Sequence, residues 1–341
     1  MNQVTHTLIP ALLAFIALSA NSYSAQAATL DEVKSRGAIR CGVNVDLAGF
    51  ARANALGEYV GFDVDLCRAV ASALFNDSEA VDMIPVNSIE RFEAVQAGRV
   101  DVLSRNTTWT LERNVLFGDF AGISFYDGQG FMVSRSSGYR SALELDNQPI
   151  CVASNTTSEL NAADFFSVSD MRYRPIYYDD DSETIEGYRN GDCKAYTTDL
   201  SGLAAQRSDF ENPGDHFILP EVISKEPLGP LVAPNDSEWA NVVRWSLNCM
   251  INAEELGVTS QNVDNEDIGT TPGIRRLIGT EGDTGTHLGL DPQWCTRIIR
   301  QVGNYAEIFE RNIGPDTPIG LPRGINSLRA DGGLIYAPPI R

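Results

Sequence analysis

Residues 1–27 contain no Asp, Glu, Lys or Arg, and within them Leu8 to Ala20 form an apolar run too short to span a bilayer comfortably. With Ala25-Gln26-Ala27 behind it, this stretch is expected to be an export signal cleaved after Ala27. The Lys or Arg usual near such a start is missing, which leaves the terminal amine as its main positive charge. No cysteine stands near the cleavage point, so a lipid-anchored start is not expected. No later stretch has the length and apolarity of a transmembrane segment. Histidine is scarce: of three, His6 lies in the leader, leaving His216 and His287. The chain has no G-x-S-x-G, no H-E-x-x-H and no glycine-rich phosphate loop. Catalytic residues and cofactors are therefore not expected. Basic residues are outnumbered 26 to 46, for a formal net charge of −20, which argues against nucleic acid and against electrostatic docking on anionic lipid. No two cysteines are spaced as a C-x-x-C knuckle, and the acidic run Asp179-Asp180-Asp181 lacks the spaced ligands of a calcium loop. No metal site is expected, and the run reads as a solvated turn.

What is present is an alternation of strand and helix in a chain long enough for two lobes. Ile39 to Val45, Val81 to Val86 and Val100 to Leu103 read as strands; Asp63 to Phe75 carries an apolar face; Asn87 and Glu90 resemble a capping box before Ile89, Phe92 and Val95. Such alternation gives a parallel sheet, whose ligands sit outside the carboxyl ends of the strands. At one such end stands Ser104-Arg-Asn-Thr-Thr-Trp-Thr-Leu-Glu-Arg113. Asn106, Thr107, Thr108 and Thr110 crowd donors together, and Arg113 adds a planar cation that can grip a carboxylate with two parallel bonds. If Thr110 caps the following helix, Arg113 lies where the helix dipole disfavours a cation, so an anion belongs beside it. That anion is either a ligand or a neighbour such as Glu112. Phe50, after the first strand, is a candidate pocket wall or a core residue, as are Trp109 and the turn 87–92.

The chain then crosses through Tyr126 to Val133 into a second unit with the same rhythm. Ile150 to Ala153 precedes Asn155-Thr-Thr-Ser-Glu159, where Thr156 or Thr157 is an N-cap and the helix start an anion site. Cys193 to Asp199 is a strand ending in a carboxylate, at the place that matches the first cradle; Asp199 either caps the next helix or faces the cleft. Pro220 to Val232 carries the chain back, so two crossings imply a two-strand hinge. From Asp236 the chain is helical, with stripes Trp239, Val242, Val243, Trp245, Cys249, Met250 and Ile298, Ile299, Val302, Ile308, Phe309. Export places the six cysteines in an oxidising compartment, and their local spacing favours Cys41–Cys67, Cys151–Cys193 and Cys249–Cys295.

These residues resemble the periplasmic solute-binding proteins of polar amino acid ABC transporters, and within them the general L-amino acid binding proteins. The resemblance covers nearly all of the mature chain. Gly61-Phe-Asp-Val-Asp-Leu-Cys-Arg-Ala-Val70 is similar to the family's first helix, and Ser104 to Thr110 with Arg113 to its carboxylate motif. Asp127 to Val133, Lys225-Glu-Pro-Leu-Gly-Pro230, Val302-Gly-Asn-Tyr305 with Glu307 to Asn312, and Gly332 to Pro339 resemble subfamily signatures. The resemblance implies a two-lobed α/β periplasmic binding protein of type II, with two parallel-type sheets joined by a two-strand hinge. Lobe I would comprise 28–132 and 227–341, and lobe II 133–226. It implies that Arg113, Thr108 and Thr157 hold a ligand α-carboxylate and Asp199 the α-ammonium. It implies a monomer in the periplasm, partnered by a free L-amino acid and by ABC permease subunits in the membrane. Asn155 departs from the usual Gly before the paired threonines, Ala306 from a Gly and Arg329 from a Trp.

The physical logic fits a zwitterion. Arg113 on one lobe and Asp199 on the other present opposite charges, so neither lobe holds both ends of an α-amino acid, and binding favours the closed form. The competing classes are a ligand sensor that contacts a receptor and a dehydratase-type enzyme on the same fold.

Overall fold

The computed structural model describes residues 29–341; the expected export signal lies outside the described residues. Ile39–Val43 is a strand with both faces buried, as parallel strands covered by helices require. It leads to the helix Phe62–Phe75, which ends at Asn76 in the left-handed conformation, φ 55°. Strands Val81–Pro85 and Val102–Leu103 flank the first strand and run parallel to it. Leu231–Val232 and Asp119–Phe120 complete this first sheet through antiparallel pairs. The second sheet repeats the plan: Arg174–Tyr178, Pro149–Ala153 and Ala195–Asp199 are parallel, and Gln129–Ser134 and His216–Ile218 join by antiparallel pairing.

Both sheets are thus mixed, each a set of three parallel strands extended by two in antiparallel pairing. The reason is topological. Parallel neighbours need a crossover helix between them, whereas Gln129–Ser134 and Leu231–Val232 enter their sheets straight from the hinge. That hinge is the antiparallel pair Phe125–Asp127 and Glu226–Leu228. Because Gln129–Ser134 belongs wholly to the second sheet, the chain crosses earlier than the expected break at 132/133. Close approach of backbones makes the hinge compact: a Cβ on Gly229 would sit 1.9 Å from the carbonyl oxygen of Gly122.

The main core lies under the first sheet. Helix Ser237–Glu255 buries Trp239, Val242, Val243, Cys249 and Met250, and Trp294–Gln301 and Tyr305–Asn312 bury Ile298, Ile299, Ile308 and Phe309 in the same cluster. Trp245 packs at its edge, half-buried. The buried indole N–H of Trp239 donates to the Asp101 carbonyl at 2.6 Å, the partner a buried tryptophan needs. The three cysteine pairs are those the spacing favours, Cys41–Cys67, Cys151–Cys193 and Cys249–Cys295. The tail is anchored on the first lobe by Leu328, Ile335, Ala337 and Ile340. Asn326 uses its amide to accept from the Tyr126 N–H at 2.7 Å and to donate to the Tyr126 carbonyl at 2.9 Å. The tail thereby braces one strand of the hinge.

Gly229→Ala should destabilise the protein by about 1–3 kcal/mol, because a backbone oxygen cannot rotate out of the way as a side chain can. Urea unfolding measures this; a loss under about 0.5 kcal/mol would contradict the packing described for the hinge.

Candidate functional site

The gap is lined by residues at or just beyond the carboxyl ends of five parallel strands, Val81–Pro85, Val102–Leu103, Pro149–Ala153, Arg174–Tyr178 and Ala195–Asp199. On the first lobe, the loop after Val102–Leu103 is held down by Asp63, in the first turn of the helix Phe62–Phe75. Asp63 accepts from Ser104 Oγ at 3.1 Å and from the Asn106 N–H at 2.8 Å, and burial pushes its carboxyl up to about 6. Asn106 takes φ 34°, a conformation asparagine tolerates better than most residues, and accepts from Asn44 Nδ2 at 3.0 Å. Thr110 caps the helix Leu111–Leu116 by accepting from the Arg113 N–H at 3.2 Å. This places the Arg113 guanidinium in the gap, 7% exposed, donating to the Thr108 carbonyl at 3.1 Å and lying 5.3 Å from the Phe92 ring.

Two further arginines share the space. Arg105 is fixed by Val86 O at 2.8 Å and Ser88 Oγ at 3.1 Å. Arg91 lies over Phe92 at 4.8 Å, 4% exposed, and its Nε has no hydrogen-bond partner among the described residues. Burial disfavours the charged form of all three, and for Arg113 the carboxylates of Glu226 and Asp199 work against it.

On the second lobe, Asn155 adopts φ 59°, so the turn before the threonines keeps the left-handed geometry that glycine would give. Thr156 caps the helix Thr157–Val168 through the Glu159 N–H at 3.2 Å, and Glu159 answers by accepting from the Asn155 N–H at 2.9 Å. Thr157 and Ser158 are thereby presented to the gap. Asp199 sits at the N-cap position of Leu200–Ser208 but makes no capping bond; Asp127 accepts the Ser201 N–H instead, at 3.2 Å. Burial, then repulsion from Asp127, Glu226 and Asp181, pushes Asp199 well above the usual carboxylate range. Burial pushes Asp127 itself up to about 7. In the acidic run, Asp180 caps its helix through the Glu183 N–H at 2.9 Å, and Asp181 lines the gap. The run read as a solvated turn therefore contributes one half-buried carboxyl group to the gap.

Glu226, from the hinge, joins the lobes. Its Oε2 accepts from Thr108 Oγ1 at 2.6 Å and Thr157 Oγ1 at 3.1 Å, and its Oε1 from Asn161 Nδ2 and Ser224 Oγ, both at 2.6 Å. Each threonine hydroxyl has one proton to give, so these two are committed to Glu226. At the rim, Arg52 of the first lobe grips Asp209 of the second with two bonds, at 2.8 and 2.5 Å. The lobes meet across a gap whose free space is about 20 Å³.

Of the expected site residues, Arg113, Asp199, Thr108, Thr157 and Asn106 meet in this gap. Thr110 acts on it as a cap. Phe50 is a correction: it is fully buried in the first-lobe core, edge-on to Phe62 and Phe125 at 6.2 and 5.7 Å, and does not line the gap. Trp109 likewise stacks on Phe120 at 5.1 Å. Sequence reasoning left Arg105, Asp181 and Glu226 without a role, whereas the turn 87–92, offered as pocket wall or core, brings Ser88 and Arg91 to the gap. Among the described residues, no ion pair within 4.0 Å joins the three arginines to Asp181, Asp199 or Glu226.

Comparison with known proteins agrees with this architecture. Residues 39–262 match the family model of bacterial extracellular solute-binding proteins, family 3. The chain is 48% identical over 337 residues to the general L-amino acid-binding periplasmic protein AapJ of Rhizobium johnstonii, covering 98% of this chain and 99% of that one. It is 49% identical to the glutamate/glutamine/aspartate/asparagine-binding protein BztA of Rhodobacter capsulatus, covering 93% and 95%. Among solved structures it resembles an ABC transporter periplasmic binding protein from Brucella ovis with glutathione bound, at TM-score 0.90 and 51% identity, covering 93% and 100%.

Glu226→Gln should cost about 1–3 kcal/mol of stability in ligand-free protein, since an amide nitrogen would face donors that now have an acceptor. Urea unfolding of both forms tests this, and equal midpoints would contradict the role given to Glu226.

Proposed function

The chain belongs to the bacterial extracellular solute-binding proteins, family 3, and from that membership and its cleft we propose that it captures free L-amino acids outside the cytoplasm. It delivers them, as a monomer, to the membrane permease of an ABC transporter. In this reading lobe I runs up to the hinge strand Phe125–Asp127 and resumes after the hinge strand Glu226–Leu228, and lobe II lies between them. The single observation that carries the reading is the set of buried charges of both signs that face one gap without pairing. A buried charge with no partner is costly, and a zwitterion supplies partners for both signs at once.

The ligand α-carboxylate goes to the Arg113 guanidinium and to the free N–H groups at the start of the helix Thr157–Val168. The hydroxyls of Thr108 and Thr157, committed to Glu226, position this end instead of donating to the ligand. The α-ammonium goes to Asp199, on the opposite lobe. Since the two anchors sit on different lobes, the ligand interacts far more with the closed form, and that difference drives closure. No step breaks a bond in the ligand, and no cofactor is called for.

A thermal-shift screen of the twenty amino acids should give a raised melting temperature with unchanged ligand recovered. Arg113→Ala and Asp199→Asn should each weaken binding by about 100-fold or more, with the fold retained by circular dichroism. Calorimetry showing affinity within about threefold of the parent in either variant would overturn the assignment. Proton linkage has a definite sign. Asp199 is held above its usual range by burial and by Asp127, Glu226 and Asp181, so part of the free protein carries a proton there that the ammonium must displace. Affinity should fall as the pH is lowered from about 8 to about 5, with protons released on binding. Titration in buffers of different ionisation enthalpy reads this directly; proton uptake, or affinity that rises toward acid, would contradict it.

A further inference from the structure

We propose that the first lobe carries a second small-molecule site, apart from the cleft, that takes a single-ring aromatic carboxylate. It is a cavity of about 130 Å³ where the helix Ser237–Glu255, the short helix Thr284–His287, the start of Trp294–Gln301 and the end of the tail meet. None of the residues that line it lines the interlobe gap. Six of the seven lie beyond residue 262, where the match to the family model ends. The proposal therefore stands apart from the amino acid reading of the cleft.

The walls are fixed. Trp245 and Cys249 lie four apart on one helix, and Cys249 is bonded to Cys295, the neighbour of Trp294. The two indole-bearing segments are thereby tied together. Arg276 Nε donates to the Ile340 carbonyl at 3.1 Å, which holds the tail in place as a third wall. A Cβ on Gly285 would run into the Asp291 carbonyl oxygen, so the short helix packs closely on the chain that leads to Trp294. A rigid cavity of about 150 Å³ admits benzene; this one has room for one ring.

The lining sets apolar surface beside donors that have nothing to donate to. Trp294 is 1% exposed, yet its indole N–H has no acceptor among the described residues. Trp239 shows the contrast, its buried N–H being taken up by the Asp101 carbonyl. The side chains of Trp245, Thr284, His287 and Arg341 likewise make no hydrogen bond or ion pair among the described residues. No Asp or Glu among the described residues lines the cavity, in a chain of formal net charge −20. A flat apolar ring covers the indoles, Leu288 and Ile340, and a carboxylate on it gives the N–H groups and the Arg341 guanidinium an acceptor. A cation of the same shape meets Arg341 and leaves those donors empty.

The test is titration of the full mature chain with benzoate and with benzylammonium, read by tryptophan emission and by ligand-observed saturation-transfer NMR. Benzoate should bind saturably with a dissociation constant of about 1 mM or tighter, and benzylammonium at least about tenfold more weakly. Trp245→Ala should abolish benzoate binding, and Arg341→Gln should weaken it about tenfold. Both variants should keep the parent's thermal-shift response to L-amino acids, because neither residue lines the interlobe gap. No saturation by about 10 mM benzoate, or benzylammonium binding as tightly as benzoate, overturns the proposal. So does benzoate affinity within about threefold of the parent in both variants, which would place the bound benzoate elsewhere, the cleft included. If Trp245→Ala does not fold, the exposed Arg341→Gln decides.

Discussion

The structure depends on charges that burial has stripped of water and that the fold keeps from one another. Arg113 stands on one lobe and Asp199 on the other, each buried, in surroundings where an unpaired charge costs several kcal/mol. The fold tolerates this because each group is held by something other than an opposite charge. Arg113 has the Thr108 carbonyl and the Phe92 ring; Asp199 makes no capping bond, and burial raises its pKa well above the usual carboxylate range, which disfavours its charged form. Both arrangements are second best, and a molecule that brings a carboxylate and an ammonium at the right separation improves both. Affinity then comes from relief of a fixed cost as well as from new contacts.

The hinge makes this relief a signal. Glu226 gathers Thr108 from one lobe and Thr157 and Asn161 from the other, and Asn326 from the tail pins the neighbouring strand through Tyr126. The closed form is therefore already partly specified by the protein alone, with the Arg52–Asp209 contact at the rim adding to it. Such preorganisation lowers the ordering cost of binding. It also means that the closed population depends on a modest balance, which a ligand with few atoms can tip.

Much of this could be read from the residues because strand ends are where α/β sheets place function. Arg113 and Asp199 were found by their position after apolar runs, and Asn155 by its tolerance of the left-handed turn it adopts at φ 59°. The cysteine pairs followed from local spacing. What escaped has a physical reason in each case. Glu226 lies in a proline- and glycine-rich crossing that reads as a connector, and only the meeting of the two lobes brings it Thr108, Thr157 and Asn161 beside the local Ser224. Asp181 hides in a charge run whose middle member, Asp180, does the capping. Arg91 opens the helix Arg91–Gln96 within the turn 87–92, which the residues alone leave open between pocket wall and core. Phe50 and Trp109 failed in the other direction: an aromatic near a strand end has no periodicity to say whether it faces core or cleft, and both found aromatic partners.

The central claim, that both charged ends of one small molecule are required to join the lobes, is tested most directly by blocking each end in turn. Calorimetry would compare a bound L-amino acid with its N-acetyl derivative and with its methyl ester, which remove the ammonium and the carboxylate separately. The account predicts that each blocked form binds about 100-fold more weakly or worse. Either derivative binding within about threefold of the free amino acid would contradict it.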